Sequence, residues 1–380
     1  MAPIAIIHNH PIHYKHLLFQ AMRSQGLDFE VLFVSRGSSI RIESGGSSTN
    51  DYPFRTGHDG EYENHPRAST ARFIWSALSE LNPPLVIISG YYDVAGWTAW
   101  LWARIHKRPR ILWNETNHFD SHRSWLKEAA KGYYVRNFDF AHVYGISNRE
   151  YLERLGLAPD RIVIKRAVTD TTKFSPQPAA PRHYGGPIDL LYVGRLSEEK
   201  NLEFLVRAVA AIPQDRDHPT LVLSIVGYGP QEALLKRLTS SLNAASIIKF
   251  EGPLKQSELP QRYSEADAFI LPSVREPWGL VALEAILCEL PILVSSQCGC
   301  ARDLVNMRTG WTFSPYDLPA LTQLIEDLTR IPGRTLEDMG RAGRELGLAY
   351  SPDNCAAVVK STIVAALGSA GVVQEECTAR

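Results

Sequence analysis

Two glutamates eight positions apart stand in the segment Glu276-Pro277-Trp278-Gly279-Leu280-Val281-Ala282-Leu283-Glu284. An apolar run at residues 268–273, ending in Pro272 and Ser273, precedes them and reads as a buried strand closed by a turn. The spacing predicts Glu276 in a loop at the carboxyl end of that strand, and Glu284 about one turn inside the helix that follows. A helix start carries unpaired N–H groups and partial positive charge, so a diphosphate fits between the two carboxylates. At roughly 1.5 Å rise per residue, Glu284 is placed to accept hydrogen bonds from a vicinal diol such as a ribose. The plainer alternative is a pair of solvated carboxylates at a helix start.

A second segment supplies the opposite charge. Residues 188–193 (Ile-Asp-Leu-Leu-Tyr-Val) read as a strand, Gly194-Arg195-Leu196-Ser197-Glu198-Glu199-Lys200 as a turn, and residues 201–211 as a helix. Gly194 permits close backbone approach at the strand end. Arg195 offers a forked donor and Lys200 a point charge over the turn where a pyrophosphate would lie. Taken singly, each is equally readable as an ordinary surface cation.

The elements that must hold these residues alternate along the whole chain. Strand patterns fall at residues 4–7, 29–34, 85–89, 111–113 and 141–144. A second set falls at 188–193, 221–226, 247–250, 268–271, 292–294 and 311–313, with amphipathic helical patterns between. Alternating β and α segments predict parallel sheets with helices on both faces. Two such sets, with the proline-rich stretch at residues 174–181 between them, predict two domains. The 380 residues suffice for two cores. Residues 37–66, rich in Gly, Ser, Asp, His and Pro, read as one long loop. The ending at 373–380 reads as frayed.

These segments together resemble glycosyltransferase family 4, the nucleotide-sugar-dependent, anomer-retaining transferases of the GT-B fold. The resemblance runs in order along residues 160–370. Ile225-Val226-Gly227-Tyr228-Gly229-Pro230 with Leu234-Leu235 is similar to the family's strand, glycine turn and helix. Phe250-Glu251-Gly252-Pro253-Leu254 is similar to its base-contacting loop. Residues 290–295, then Gly299 and Asp303-Leu304-Val305, are similar to the strand and loop beyond the glutamate-bearing helix. Residues 167–174 resemble the domain-crossing segment, although the family's Asn is absent at Arg166 and Ala167.

The resemblance implies an α/β protein of the GT-B type, two Rossmann-like parallel-sheet domains facing across a cleft. The expected limits are an acceptor-side domain at 1–175, a nucleotide-sugar domain at 176–350, and a helix crossing back at 351–380. The implied reaction is retaining transfer of a sugar from a nucleoside-diphosphate sugar, UDP favoured and GDP possible. The acceptor is a hydroxyl on a sugar, a lipid-linked group or a small molecule, in polysaccharide or glycolipid assembly. Donor contacts fall on Gly194, Arg195, Lys200, Gly227, Gly252, Pro253, Leu254, Glu276, Trp278, Gly279, Leu280 and Glu284. Negative charge growing on the leaving diphosphate would be met by Arg195, Lys200 and the N–H groups near Gly279, an electrostatic role. Glu276 would hold the donor sugar and Glu284 the ribose. A sugar-nucleotide 2-epimerase on the same fold and a non-catalytic nucleotide-sugar-binding protein are the alternatives.

The first half departs from the family. The turn after its first strand, His8-Asn9-His10-Pro11-Ile12-His13-Tyr14-Lys15-His16, has none of the glycines that relatives use. A dinucleotide-binding G-x-G-x-x-G is therefore excluded there. Its four histidines read as polar groups lining a cleft rather than metal ligands. Many relatives place a His after the fourth strand, against the donor sugar. Here Glu115 takes the strand-end position and His118 lies one turn later, and both stay open.

Downstream, Arg123, Lys127, Lys131 and Arg136 alternate with Trp125, Tyr133 and Tyr134. Either they form a surface for anionic lipid or a pyrophosphate-linked acceptor, or a solvated face over packed rings. Asp215-Arg216-Asp217, the only Asp-x-Asp, precedes a strand instead of ending one, so no metal or other cofactor is expected. Cys298-Gly299-Cys300 offers two thiols where a zinc site wants four ligands.

Charge and composition agree with a globular enzyme. Residues 1–180 hold 21 Lys and Arg against 17 Asp and Glu, and the remainder 19 against 24. That field is too weak for a nucleic-acid partner. No apolar run reaches a membrane span, and the amino end lacks the features of a signal peptide. Together with five unframed cysteines, this predicts a cytoplasmic protein, with peripheral contact at the inner membrane face left open.

Overall fold

The computed structural model describes residues 2–38, 51–91, 93–118, 125–177, 187–213 and 220–378, with side chains described to 368. Among them, β1 (Ile4–His8), β2 (Phe29–Gly37), β3 (Phe54–Glu61), β4 (Val86–Ser89), β5 (Arg110–Asn114), β6 (Phe140–Val143) and β7 (Ile162–Ile164) form one sheet. A second sheet takes β8 (Ile188–Val193), β9 (Leu221–Val226), β10 (Ile248–Gly252), β11 (Ala268–Leu271), β12 (Ile292–Ser295) and β13 (Gly310–Phe313).

The strand orders are β3-β2-β1-β4-β5-β6-β7 and β10-β9-β8-β11-β12-β13, and the paired neighbours are parallel. Each is a doubly wound sheet. Its order reverses between β1 and β4 in the first and between β8 and β11 in the second. The carboxyl ends beside such a reversal form the crevice where this topology binds ligands.

Burial follows from that topology. In the first sheet Ile4 and Ile6 join one apolar cluster and Ala5 and Ile7 the other, so both faces are covered. This is why the strands read as unbroken apolar runs. The fully buried stretches Ala268–Leu271 and Ile292–Ser295 show the same in the second sheet.

The chain divides into two compact units, one of Met1–Thr116, His122–Val168 and Ser351–Arg380, the other of Asn117–Ser121 and Thr169–Tyr350. The changeover at Val168 lies ahead of the proline-rich stretch at which the sequence divides. Residues 169–177 belong with the second unit because Lys173 binds Gln256, Phe174 packs on Tyr263, and the Gln177 N–H donates to Ser264 Oγ. The helix Pro352–Thr378 closes the first unit. Its Cys355, Ala356, Val359 and Ile363 share a core with Leu18, Phe19 and Met22, and Lys360 Nζ donates to the Gln25 carbonyl at 2.7 Å. That helix runs through residues expected to fray.

Two strands depart from the sequence reading. The span read as one loop at 37–66 contains β3 and a short turn at Tyr62–Asn64, while residues 39–50 lie outside the described set. β7, Ile162-Val163-Ile164, is a three-residue apolar strand at the sheet edge that lies outside the strand patterns of the sequence. The Asp215–Asp217 triplet, Arg123 and residues 178–181 lie outside the described residues. No helix among those described is long and apolar enough to cross a membrane.

Candidate functional site

In the second unit, the predicted donor residues gather at the carboxyl edge of the sheet. The ends of β8, β9 and β10 are tied in series: the Gly194 N–H donates to the Val226 carbonyl at 3.0 Å, and the Gly227 N–H to the Gly252 carbonyl at 2.8 Å. Gly227 has φ +138°, and a Cβ there would overlap the Gly194 carbonyl. Glycine is thus required where the two turns cross. Gly252, Pro253 and Leu254 follow at the end of β10, partly exposed.

The turn after β8 is fixed from within. Tyr192, buried at the strand end, donates its hydroxyl to the Arg195 carbonyl at 2.8 Å. Arg195 is half exposed and pairs with Glu199 at 2.6 Å, whose same oxygen accepts from Ser197 at 2.7 Å. Burial acts to raise the Glu199 carboxyl, but the Ser197 hydroxyl and the Arg195 charge hold it below the usual range. Lys200 ends the short turn Glu198–Lys200 and forms an ion pair with Glu276. Both partners are largely buried, with side chains 16% and 11% exposed. The loop carrying Glu276 and the turn carrying Lys200 face each other across the β8–β11 reversal.

Glu276 sits in the loop after β11, and its backbone bridges that of Cys298 in parallel register. The N–H groups of Gly299 and Cys300 donate to the carbonyls of Glu276 and Trp278 at 3.1 and 2.7 Å. Gly279, at φ +109°, then turns the chain into the helix Leu280–Leu287. Glu284 lies about one turn into that helix, buried, and accepts from the Tyr263 hydroxyl at 3.1 Å. The helix start, with the N–H groups of Gly279 and Leu280, therefore lies between the two carboxylates.

Trp278 is different. Its ring is 2% exposed, packs on Tyr350 and approaches Asp303 at 3.3 Å through Nε1. Only its backbone can face a ligand. Cys298 and Cys300 are also buried, and burial, with Glu276 near the first, keeps both thiols well above their usual range. They are protonated, which suits neither metal ligation nor nucleophilic attack. Among the described residues, no three His, Cys, Asp or Glu side chains come together as a metal site.

The first unit has its own polar cluster at the sheet's carboxyl edge. Glu115, just past β5, pairs with Lys15 at 2.6 Å and accepts from Tyr144 at 2.6 Å and Tyr14 at 3.2 Å. Burial acts to raise its carboxyl, but Lys15 and Tyr144 hold it well below the usual range. Lys15 is 1% exposed, its ammonium over the rings of Trp113 and Tyr144. Lys165, following β7, is buried over Tyr144 as well, and burial and the Lys15 charge push it down to about 7. Burial and Lys15 likewise push His8 down to about 3, leaving it uncharged. His118 lies exposed in the turn after β5. Sequence reading found Glu115 but missed Lys15, Tyr144 and Lys165 as its neighbours, because they come from three other elements.

The basic helix spans Trp125–Val135. Trp125 and Tyr133 are 78% and 50% exposed, Tyr134 is buried, and Lys131 turns inward to Glu128. The alternation of cations and rings thus splits between core and surface.

Comparison with known proteins bears on both units. The chain is 29% identical over 271 residues to glycogen synthase of Mycobacterium tuberculosis, covering 69% of this chain and 61% of that protein. It therefore spans about three fifths of the length of that relative. Its fold is similar to sucrose-phosphate synthase from Thermosynechococcus elongatus, with TM-score 0.74, 22% identity and full coverage of both chains. It is similar also to Anabaena HepE, solved in complex with UDP and glucose, with TM-score 0.72, 14% identity, and 96% and 100% coverage. The two parallel Rossmann-like sheets are thus the GT-B architecture. Residues 174–346, nearly all of the second unit and every predicted donor residue above, match the family Glycosyl transferases group 1 and form a domain of that kind.

Proposed function

We propose that this protein is a retaining glycosyltransferase that moves a sugar from a nucleoside-diphosphate sugar, UDP favoured over GDP, to a hydroxyl acceptor. The observation that carries the reading is the placement of Lys200, Glu276, the Gly279 helix start and Glu284 around one sheet reversal in the second unit. Each group answers one part of such a donor. The diphosphate takes Lys200, Arg195 and the N–H groups of Gly279 and Leu280. The ribose diol takes the Glu284 carboxylate, and the base lies along Gly252, Pro253 and Leu254. Sugar hydroxyls take Glu276.

As the glycosidic bond lengthens, charge accumulates on the distal phosphate, and fixed cations and N–H dipoles stabilise it without reorganising. The acceptor hydroxyl loses its proton to the departing phosphate as it attacks from the same face. In this reading the chain needs no metal and no nucleophile of its own. Glu115, held ionised by Lys15, suits accepting a hydrogen bond from a sugar hydroxyl rather than removing a proton. HepE, solved with UDP and glucose, supports the UDP preference, and glycogen synthase supports a place in polysaccharide assembly. A lipid-linked acceptor fits the exposed Trp125 and Lys127 of the first unit.

The test is an assay with UDP-sugars, EDTA and a panel of sugar and lipid-linked acceptors, with the product anomer read by NMR. An α-donor should give an α-product at undiminished rate in EDTA. A β-product, or activity abolished by chelation and restored by Mg²⁺, contradicts the mechanism.

A further inference from the structure

We propose that Asn201 is a positioning residue for the phosphate site: its side-chain amide ties the turn carrying Lys200 to the ends of β11 and β13. The inference rests on the donor-site reading above. Asn201 follows Lys200 directly and begins the helix Leu202–Ala210. At that position an Asn normally turns its side-chain oxygen onto the helix N–H groups. Here it makes no such cap. Its Nδ2 instead donates to the carbonyl of Pro272 at 3.3 Å and to that of Pro315 at 3.1 Å.

Those acceptors lie just past β11 and β13, where the sheet ladders have ended. A buried carbonyl without a partner is costly, so one amide satisfies two ends of the sheet. Asn201 can reach both because it adopts the left-handed conformation, φ +58° and ψ +35°, which Asn tolerates better than most residues. The Glu199 carbonyl completes the stitch by accepting from the Val274 N–H at 2.9 Å. The turn is therefore held at two points to the loop that carries Glu276, one on each side of Lys200. That fixes where the ammonium stands relative to the helix start at Gly279.

The consequence is specific to phosphate. Loss of the amide should let Lys200 drift while the base contacts, on the loop after β10, and the ribose contact, on the helix Leu280–Leu287, stay in place. Asn201→Gly keeps the left-handed backbone at little cost and removes both hydrogen bonds. Asn201→Asp keeps the backbone preference and side-chain size and removes both N–H donors. The experiment is calorimetric titration of wild type and both variants with UDP and with uridine. Both variants should bind UDP about tenfold more weakly and bind uridine as wild type does. A purely structural role would weaken both ligands together, and that result overturns the proposal, as does unchanged UDP affinity in either folded variant. Wild-type protein that binds no UDP or GDP overturns the donor-site reading and this inference with it.

Discussion

The Lys200–Glu276 pair changes what each residue can be asked to do. Glu276 pairs with the ammonium that the proposed function assigns to the phosphate. Donor binding must then share or exchange that partner, so the carboxylate competes with a free diphosphate that brings no sugar for it to hold. Glu276→Gln keeps the shape and removes the charge. It should bind free UDP at least as tightly as wild type, while turnover of the sugar donor falls by on the order of 10². Calorimetry and steady-state kinetics on the same preparation check the pair of outcomes. Weaker UDP binding together with normal turnover would reverse the assignment of Lys200 to phosphate and Glu276 to sugar.

At the scale of elements, the carboxyl edge of the first sheet stores a pH dependence. His142, on β6, accepts from Trp113 Nε1 of β5 at 2.7 Å, and burial, with Lys165 and Lys15 nearby, pushes it down to about 3. His8 is pushed equally low. Below the ordinary histidine value of about 6.5 the unfolded chain binds these protons and the folded chain does not. Stability should therefore fall as pH falls from about 6.5 towards 3, by about 1.4 kcal/mol per pH unit for each group. Glu115, depressed in the folded state, adds to the loss once pH drops below the carboxylate range. Lys165 acts in another window: it binds fewer protons folded than unfolded between about 7 and 10.5, so its contribution to stability rises with pH there. Urea denaturation from pH 4.5 to 7 should give a shallower slope for His142→Gln, whose amide oxygen can still accept from Trp113. Parallel slopes would mean that His142 titrates normally.

The same scale explains what the sequence could and could not reveal. Buried strands such as Ala268–Leu271 announce themselves because both faces are covered, and Gly279 and Glu284 keep their meaning through spacing along one loop and helix. β3 escaped because it is an edge strand with polar and glycine residues, Phe54-Arg55-Thr56-Gly57-His58-Asp59-Gly60-Glu61, none of them buried. It pairs with β2 alone, and the Arg55–Glu30 ion pair and the Phe54–Phe33 contact that mark the pairing join residues distant in sequence. The polar cluster around Glu115 was only partly legible for a related reason. Lys15 lies about 100 residues before it in sequence and Lys165 about 50 after, and only the parallel order of β1, β4, β5, β6 and β7 brings their loops together. Trp278 looked like a ligand contact because it stands inside the motif. The apolar ring found a core instead, which local spacing does not encode.

For the whole molecule, the proposed division of labour follows the division of the chain into two units. The second unit carries the group 1 glycosyl transferase domain and the groups that the proposed function assigns to a nucleoside diphosphate. The first unit presents a fixed carboxylate at Glu115 and exposed rings, which the proposed function assigns to the acceptor side. In the proposed function the carboxyl edge of the second sheet binds a nucleoside diphosphate, with Glu284 on its ribose. Calorimetric titration of UDP, and of a UDP-sugar, into wild-type protein and Glu284→Ala tests it most directly. Wild type should bind both ligands, and the variant should lose about 1.5–3 kcal/mol for both, since the ribose is common to the two. Unchanged affinity in Glu284→Ala, or no binding of either UDP or GDP by wild type, would contradict it.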